Sequence, residues 1–191
     1  MVQFTPSYFS KRSGFVINQL SGGGCEHMGN FPTFPVKGKL KMSPDNILNY
    51  RINISEEKGH AGYYEAKVQE DIHAKLTVTE RTGMASYEYP ADQQYGTVII
   101  GGGISATPIE QAAIVITAPN KCEGYAEGGN FCGLRTPYKV YFVAEFDTDA
   151  LESGTWKRDE LKPNTTFAEG EYSGVYFTFD VNKKKNIQYK I

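Results

Sequence analysis

One segment near the start of the chain concentrates residues that could contact a ligand. Residues 21–27 are a serine, three successive glycines, a thiol, a carboxylate and an imidazole, delivered by an apolar run that begins at Gly14. Successive glycines let backbone N–H and C=O groups approach a ligand closely, and the polar side chains could hydrogen-bond hydroxyl groups. The segment therefore predicts either a wide turn between strands or a binding loop.

Cys25 in this segment could act as a nucleophile only with a base and an orienting group nearby. His27 and His60 are the candidate bases of such a hydrolase, although single histidines are more often surface or packing residues. The sequence has no CxxC and no His-x-x-x-His, and its third histidine, His73, stands apart. We therefore expect no catalytic residue and no transition-metal site within this chain.

A second glycine-rich segment, Gly101–Ala106, resembles the GxGxxA fingerprint of dinucleotide-binding proteins, because a strand-like run precedes it. That chemistry needs a helix directly after the glycines, whose N-terminus holds the pyrophosphate. Here Thr107–Ala112 leaves room for barely one turn before a β-branched run resumes. The segment is expected to be a loop between strands.

The elements that carry these loops are predicted to be strands. Apolar residues alternate with polar ones in four runs, 63–68, 75–79, 138–147 and 174–180. The runs 97–100 and 113–117 are apolar on both faces, which is typical of central strands covered on both sides. Turn-forming residues separate the runs, and no segment shows sustained helical periodicity. The sequence predicts an all-β fold, an antiparallel β-sandwich of the supersandwich kind with few helices.

The composition suits one globular domain. The chain has 191 residues, of which 40% are hydrophobic and 22% charged, and its net charge is -2. No basic face is available for nucleic acid, and no apolar run approaches the ~20 residues that cross a bilayer. We expect a single β-sandwich domain over residues 1–191, with no nucleic-acid or membrane partner. A strand signal that runs to the last residue favours a piece of a longer protein.

The three cysteines cannot all pair within the chain, so at least one is free or bonded to another molecule. Cys122 and Cys132 flank a glycine-rich stretch in which a hairpin could bring them together. The alternative is two buried free thiols.

Several motifs, taken in order, resemble glycoside hydrolase family 92, the calcium-dependent exo-α-mannosidases. Gly14–Cys25 is similar to the family segment Gly-Phe-x-x-x-x-x-Ser-Gly-x-Gly-Cys. Further segments that resemble the family follow along the chain: Ala61–Tyr64, Leu76–Gly83, Tyr87–Pro90, Phe131–Gly133 and Tyr138–Phe146. The resemblance extends over residues 14–191.

The resemblance implies the N-terminal β-sandwich domain of a larger two-domain enzyme. In the family this domain packs on a C-terminal helical catalytic domain, and the active site lies between the two. The helical part supplies most of the acid, the base and the calcium ligands, so this chain alone is expected to be inactive and to hold no cofactor. The parent would be an inverting α-mannosidase that acts on a mannose-containing glycan, in a secreted, periplasmic or cell-surface location.

The resemblance also assigns substrate contacts to the glycine-rich loop. The candidate residues are Ser21, Gly22, Gly23, Gly24 and Cys25, with Gln19 and Glu26 as side-chain neighbours. The family often has histidines where this chain has residues 16–19, so hydroxyl contacts from that stretch are not carried over. Arg81 is expected to pair with a carboxylate or with the missing domain.

Two further expectations can be compared with a structure. A helical partner would leave an exposed apolar patch beside the loop, with the members Phe31, Pro32, Phe34 and Pro35. The alternative function is a stand-alone carbohydrate-binding or interaction β-sandwich, whose aromatic platform would be formed by Tyr63, Tyr64, Tyr87 and Tyr89.

Overall fold

Strands account for most of the residues that the computed structural model describes, namely 5–6, 14–18, 28–45, 53–130 and 132–191. Within these ranges helical backbone is confined to Asp45. The strands are β1 (Thr5–Pro6), β2 (Phe15–Val16), β3 (Thr33–Lys37), β4 (Ile54–His60), β5 (Tyr63–Val68), β6 (Ile72–Val78), β7 (Gly83–Glu88), β8 (Tyr95–Gly101), β9 (Ile109–Ala118), β10 (Lys121–Gly128), β11 (Tyr138–Phe146), β12 (Glu152–Lys157), β13 (Glu160–Pro163), β14 (Phe167–Glu169), β15 (Ser173–Asp180) and β16 (Asn186–Lys190).

The strands form two sheets in which every described pairing is antiparallel. The seven-stranded sheet has the order β1-β2-β3-β8-β15-β12-β13, and the nine-stranded sheet has the order β14-β9-β10-β11-β16-β7-β6-β5-β4. The facing sides of the sheets share one buried cluster, to which β8 contributes Val98 and Ile100 and β6 contributes Leu76. The predicted all-β sandwich is therefore confirmed.

The sequence pattern placed the inward face of β11 correctly. Phe142, Ala144 and Phe146 are buried, whereas Tyr141 and Val143 point outward and are 71% and 48% exposed. The expectation for β9 is wrong in part, because Val115 in its apolar run is only half-buried. An apolar run identifies a strand, but it does not show whether another layer covers both faces.

The outer face of the seven-stranded sheet is covered by the chain itself. Trp156, Ile99 and Tyr176 form a second buried cluster there, against which the partly buried Leu40 packs. The segment that carries Leu40 is held down by a 2.7 Å ion pair from Lys39 to Glu152. β8 and β15 are therefore buried on both faces, as the apolar run at 97–100 predicted for β8.

Buried hydroxyl groups connect the two sheets across the core. Thr33 Oγ1, on β3, lies 3.1 Å from the hydroxyl of Tyr87 on β7 and accepts a 2.5 Å hydrogen bond from Tyr189 on β16. The two tyrosine hydroxyls are 3.1 Å apart, which closes a triangle. All three side chains are buried, and burial raises the pKa of both tyrosines. The triangle thus provides hydrogen-bond partners for three buried hydroxyl groups.

The cysteines do not form the pair that the sequence suggested. Cys122 is a buried free thiol on β10, and burial raises its pKa. Cys132 is disulfide-bonded, so neither the Cys122–Cys132 bond nor two free thiols is correct. Cys25, the third cysteine, lies outside the described residues.

No helix in the described part of the chain is long and apolar enough to span a membrane.

The hydroxyl triangle gives a stability prediction. Thr33→Val and Tyr189→Phe should each lower the free energy of unfolding by about 1 kcal/mol, because each removes a buried hydrogen-bond partner. The double variant should lose less than the sum, since the two single variants delete a shared bond. Tyr141→Phe, at an exposed position, is the control and should leave the denaturation midpoint unchanged. Strictly additive losses would show that the hydroxyls do not interact.

Candidate functional site

The two ends of the glycine-rich loop meet in a neck formed by residues 17–18 and 28–31. Asn18 donates its Nδ2 to Asn30 Oδ1 at 3.1 Å and accepts the Asn30 backbone N–H at 2.8 Å through its own Oδ1. The backbone adds bonds from Ile17 N to Asn30 O at 3.4 Å and from Gly29 N to Asn18 O at 3.5 Å. The loop is therefore anchored at its base by paired asparagines and paired backbone.

The returning side of the neck follows a curved path. Met28, Gly29 and Phe31 have positive φ values of 59°, 73° and 54°, and the Met28 carbonyl accepts a 2.8 Å hydrogen bond from Ala106 N. Asn30 is fully buried, and its Nδ2 atom has no hydrogen-bond partner among the described residues. Left-handed backbone at non-glycine residues is costly and persists only where the surroundings hold it. The neck is thus a fixed support for the loop.

The candidate substrate contacts themselves lie outside the described residues. These are Gln19, Ser21, Gly22, Gly23, Gly24, Cys25 and Glu26, and the candidate base His27 lies outside as well. The structure places the two ends of their loop and leaves their roles as predictions.

A cleft of about 560 Å³ opens beside the neck. Ile17, Asn18 and Phe31 line it from the seven-stranded side, and the opposite walls are formed by 81–82, 140–143, Glu145 and 190–191. The cleft exists because β11 pairs with β16 only at Glu145 and Phe146. The nine-stranded sheet is therefore split along β11, and the split exposes the base of the loop.

The chemistry of the cleft suits binding better than catalysis. Glu145 is the one carboxylate among the described residues that line it, and Lys190 Nζ lies 3.6 Å from its Oε2. Arg81 is exposed at the rim and forms no ion pair with a described residue, so its expected pairing with a carboxylate is not found in the described part of the chain, and pairing with the missing domain stays a prediction. Amide, guanidinium and carboxylate groups can hydrogen-bond sugar hydroxyls. Inverting glycosidases need two carboxylates, and one side chain cannot supply both roles.

The expected apolar patch at Phe31, Pro32, Phe34 and Pro35 is wrong, since all four residues are buried. Phe31 packs on Phe142 with ring centroids 4.3 Å apart, so it closes over the sandwich interior. These four residues therefore fold back over the end of the sandwich and cover it locally.

An exposed apolar surface occurs instead on the outer face of the nine-stranded sheet. A groove of about 360 Å³ crosses β14, β9, β10 and β11, and its lining includes Phe167, Val115, Tyr125, Tyr141 and Val143. Phe167 is 54% exposed, and the register places it, Val115 and Val143 in one row across the strands. This surface adjoins the cleft through Tyr141 and Val143.

The four tyrosines proposed as a sugar platform do not form one. Tyr87 and Tyr89 are fully buried, and Tyr89 donates its hydroxyl to Thr97 O at 2.9 Å across the core. Tyr63 and Tyr64 are half-buried, and their hydroxyls bind Glu65 and Glu57 at 2.6 and 2.8 Å. The alternating sequence of β7 shows that Tyr87 lies on one face of the strand, but it does not show that this face is the buried one.

The second glycine-rich segment is a loop between β8 and β9, as expected. The N–H groups of Gly102 and Gly103 donate to the Ser173 carbonyl at 2.9 and 3.0 Å, so they are not free to bind a phosphate. A Cβ atom at Gly103 would lie 1.8 Å from the Gly170 carbonyl oxygen. These glycines allow two backbones to approach each other.

The remaining polar candidates show no catalytic grouping. His60, on β4, stacks on Tyr63 with ring centroids 5.3 Å apart, and its Nδ1 lies 3.1 Å from the Ala61 carbonyl. In the described ranges no three His, Cys, Asp or Glu residues come together in a way that could hold a metal ion.

Comparison with known proteins identifies relatives of the whole described fold. A family model described as the glycosyl hydrolase family 92 N-terminal domain matches residues 6–191. No curated protein matches the chain.

Solved structures of much longer proteins share the fold. The family GH92 glycosyl hydrolase ccman5 matches with a TM-score of 0.78 at 22% identity, over 93% of this chain and 25% of that one. A family GH92 inverting mannosidase from Bacteroides thetaiotaomicron matches with a TM-score of 0.76 at 22% identity, over 93% of this chain and 23% of its own. A family GH92 α-mannosidase from the same organism, solved in complex with mannoimidazole, matches with a TM-score of 0.77 at 22% identity, over 93% of this chain and 25% of that one. The chain thus spans about a quarter of the length of these proteins.

The asparagine pair at the neck can be tested directly. Asn18→Ala should lower the free energy of unfolding by about 1–3 kcal/mol, because it leaves the backbone N–H and the side-chain Oδ1 atom of the buried Asn30 without the partners that Asn18 provides. For a chain of this size the melting temperature should fall by about 2–4 °C for each kcal/mol. Asn182→Ala, at an exposed position, is the matched control. Equal melting temperatures for the two variants would contradict the role of the pair.

Proposed function

This chain belongs to the glycosyl hydrolase family 92 N-terminal domain family, and from that membership we propose that it is the non-catalytic β-domain of an α-mannosidase. Its glycine-rich loop contributes to a sugar pocket at the interface with a C-terminal helical catalytic domain. The ligand of that pocket is a mannose-containing glycan. The observation that carries the proposal is the family match over residues 6–191.

The fold supports the mannosidase assignment. The solved relatives include an inverting mannosidase and an α-mannosidase bound to mannoimidazole, and each is about four times as long as the segment that this chain matches. A chain that corresponds to a quarter of such an enzyme is expected to supply part of a site. The whole reaction would then depend on groups from the rest of the protein.

The residues around the neck support a contribution to binding. Asn18 and Asn30 hold the loop beside the cleft, and the cleft adds Arg81, Glu145 and Lys190 as groups that can bind hydroxyls. Small residues in the loop would let its backbone approach a sugar ring closely. The described residues that line the cleft include a single carboxylate side chain, so we assign the acid and base pair of an inverting hydrolase to the helical domain.

Calcium is assigned to the parent enzyme and not to this chain. A calcium ion takes six or more oxygen ligands. The described residues do not bring three acidic side chains together, so they do not fit such a site. No step of the reaction is therefore attributed to a metal held here.

The alternative of a stand-alone carbohydrate-binding sandwich has lost its main support. It depended on a platform of four tyrosines, and two of these are buried in the core while the hydroxyls of the other two bind glutamates.

We predict that the purified 191-residue chain hydrolyses no α-mannoside, whereas the longer protein that contains it does. The reason is that the described residues that line the cleft include one carboxylate side chain, whereas an inverting glycosidase needs two. The measurement is release of mannose from α-mannosides by both proteins. Turnover by the isolated chain that Cys25→Ala abolishes would favour the hydrolase with a cysteine nucleophile. An inactive longer protein would contradict the assignment of the parent as a mannosidase.

A second prediction concerns the glycines of the loop. In the longer protein Gly23→Val should lower mannosidase turnover by about a hundredfold, because a side chain shifts the sugar by about 1 Å. If Gly23 serves ligand clearance, the melting temperature should stay nearly constant, since folding does not require its missing side chain. Gly22→Val and Gly24→Val form the matched series. If every variant that loses activity loses stability in proportion, the loop is only a turn.

A further inference from the structure

The split in the nine-stranded sheet leaves an open strand edge inside the sheet. β11 pairs with β10 through residues 138–145, but its other edge pairs with β16 only at Glu145 and Phe146. Between Lys139 and Val143 that edge has no ladder partner among the described residues. An edge with unpaired backbone groups can pair with another strand, because its N–H and C=O groups are free to form hydrogen bonds.

The direction of β16 brings its end to this edge. Ile191 exchanges two 2.8 Å backbone hydrogen bonds with Gly83, so the strand conformation is kept up to the last residue. β16 runs antiparallel to β11 in the register Tyr189–Phe146 and Lys190–Glu145. Continuing that register places Ile191 opposite Ala144, and the next three residues opposite Val143, Phe142 and Tyr141. The open edge is therefore aligned with the path of β16.

We propose that the cleft is the seat of a segment that follows Ile191 in the longer protein, and that this segment extends β16 along the open edge of β11. The proposal rests on the proposed function, in which this chain is the N-terminal part of a larger enzyme. The similar solved proteins are long enough to include such a segment, since about three quarters of each lies outside the match. The mode of recognition is addition of a strand to an exposed edge.

The register also specifies the side chains of that segment. Residues directly opposite each other in an antiparallel pair point to the same face of the sheet. The second residue after Ile191 lies opposite the buried Phe142, so it points into the cleft toward Phe31 and must be apolar. The first and third residues lie opposite Val143 and Tyr141 and point to the outer face. The segment alternates as a strand buried on one side does.

A strand in this cleft would place the start of the interdomain linker beside the base of the glycine-rich loop. Asn18 and Phe31 of the neck line the same cleft as Ile191 and Val143. A strand seated there packs against the base of the loop. The chain that leads to the catalytic domain would then leave the sandwich beside the residues proposed to contact the sugar.

The test adds a strand to the chain as it exists. Five residues, Thr-Val-Thr-Val-Thr, are appended after Ile191, so that valines lie opposite Phe142 and Val140. Hydrogen exchange is then followed at the amides of residues 139–143 that point away from β10. We expect exchange at these amides to slow by at least about tenfold relative to the unextended chain, because they gain partners.

The matched control is the extension Gly-Pro-Gly-Pro-Gly, which has the same length but cannot complete the ladder. Equal exchange in both extended chains would overturn the proposal. Protection in the unextended chain that grows with protein concentration, together with a dimer in sedimentation, would overturn it in favour of a second copy. Neither readout uses mannosidase activity. A longer protein without turnover would therefore contradict the proposed function but not the addition of a strand to β11.

Discussion

One buried threonine connects the strands that flank the neck to the opposite sheet. Thr33 pairs through its backbone with Phe15 on one side and Ile100 on the other, and its hydroxyl contacts two tyrosines of the opposite sheet. Hydrogen bonds in a dry core are strong and leaving one unmade is costly, so this contact fixes the spacing of the sheets. The neck lies only a few residues from both Phe15 and Thr33. The core triangle therefore connects the strands on either side of the neck to the opposite sheet.

The two sheets differ in how their outer faces are covered, and this difference organises the surface. The seven-stranded sheet buries Trp156 and Ile99 beneath chain segments of its own. The nine-stranded sheet leaves Tyr141, Val143 and Phe167 exposed. Because the exposed face adjoins both the split beside β11 and the loop neck, these three features form one continuous surface. An exposed apolar surface of this kind is typical of a contact surface, and under the proposed function it is the side that would face the rest of the protein.

In the proposed function, the domain supports a binding loop, and the acid and the base of the reaction belong to other parts of the protein. Among the described residues, Tyr87, Tyr89 and Tyr189 are buried in the core, the hydroxyls of Tyr63 and Tyr64 bind neighbouring glutamates, and Cys122 is a buried free thiol. The glycine-rich loop sits on a neck whose asparagines bind each other. Binding loops are often carried on rigid sheets in this way, because a fixed base limits how far the loop can shift.

The amino-acid sequence alone determined the fold class and the strand faces, because alternation with a period of two is a local property of the chain. It identified the inward row of β11 from Phe142 to Phe146 and the glycine-rich loop between β8 and β9, and its motifs resembled the family to which the chain belongs. It failed where partners are distant in the chain, as with Tyr87, Tyr89 and the cysteines. Thr33 contacts Tyr87 and Tyr189 across 54 and 156 residues, and such contacts depend on strand order. Only the tertiary structure decided which apolar faces stay uncovered, because covering a face requires another layer that no local pattern specifies.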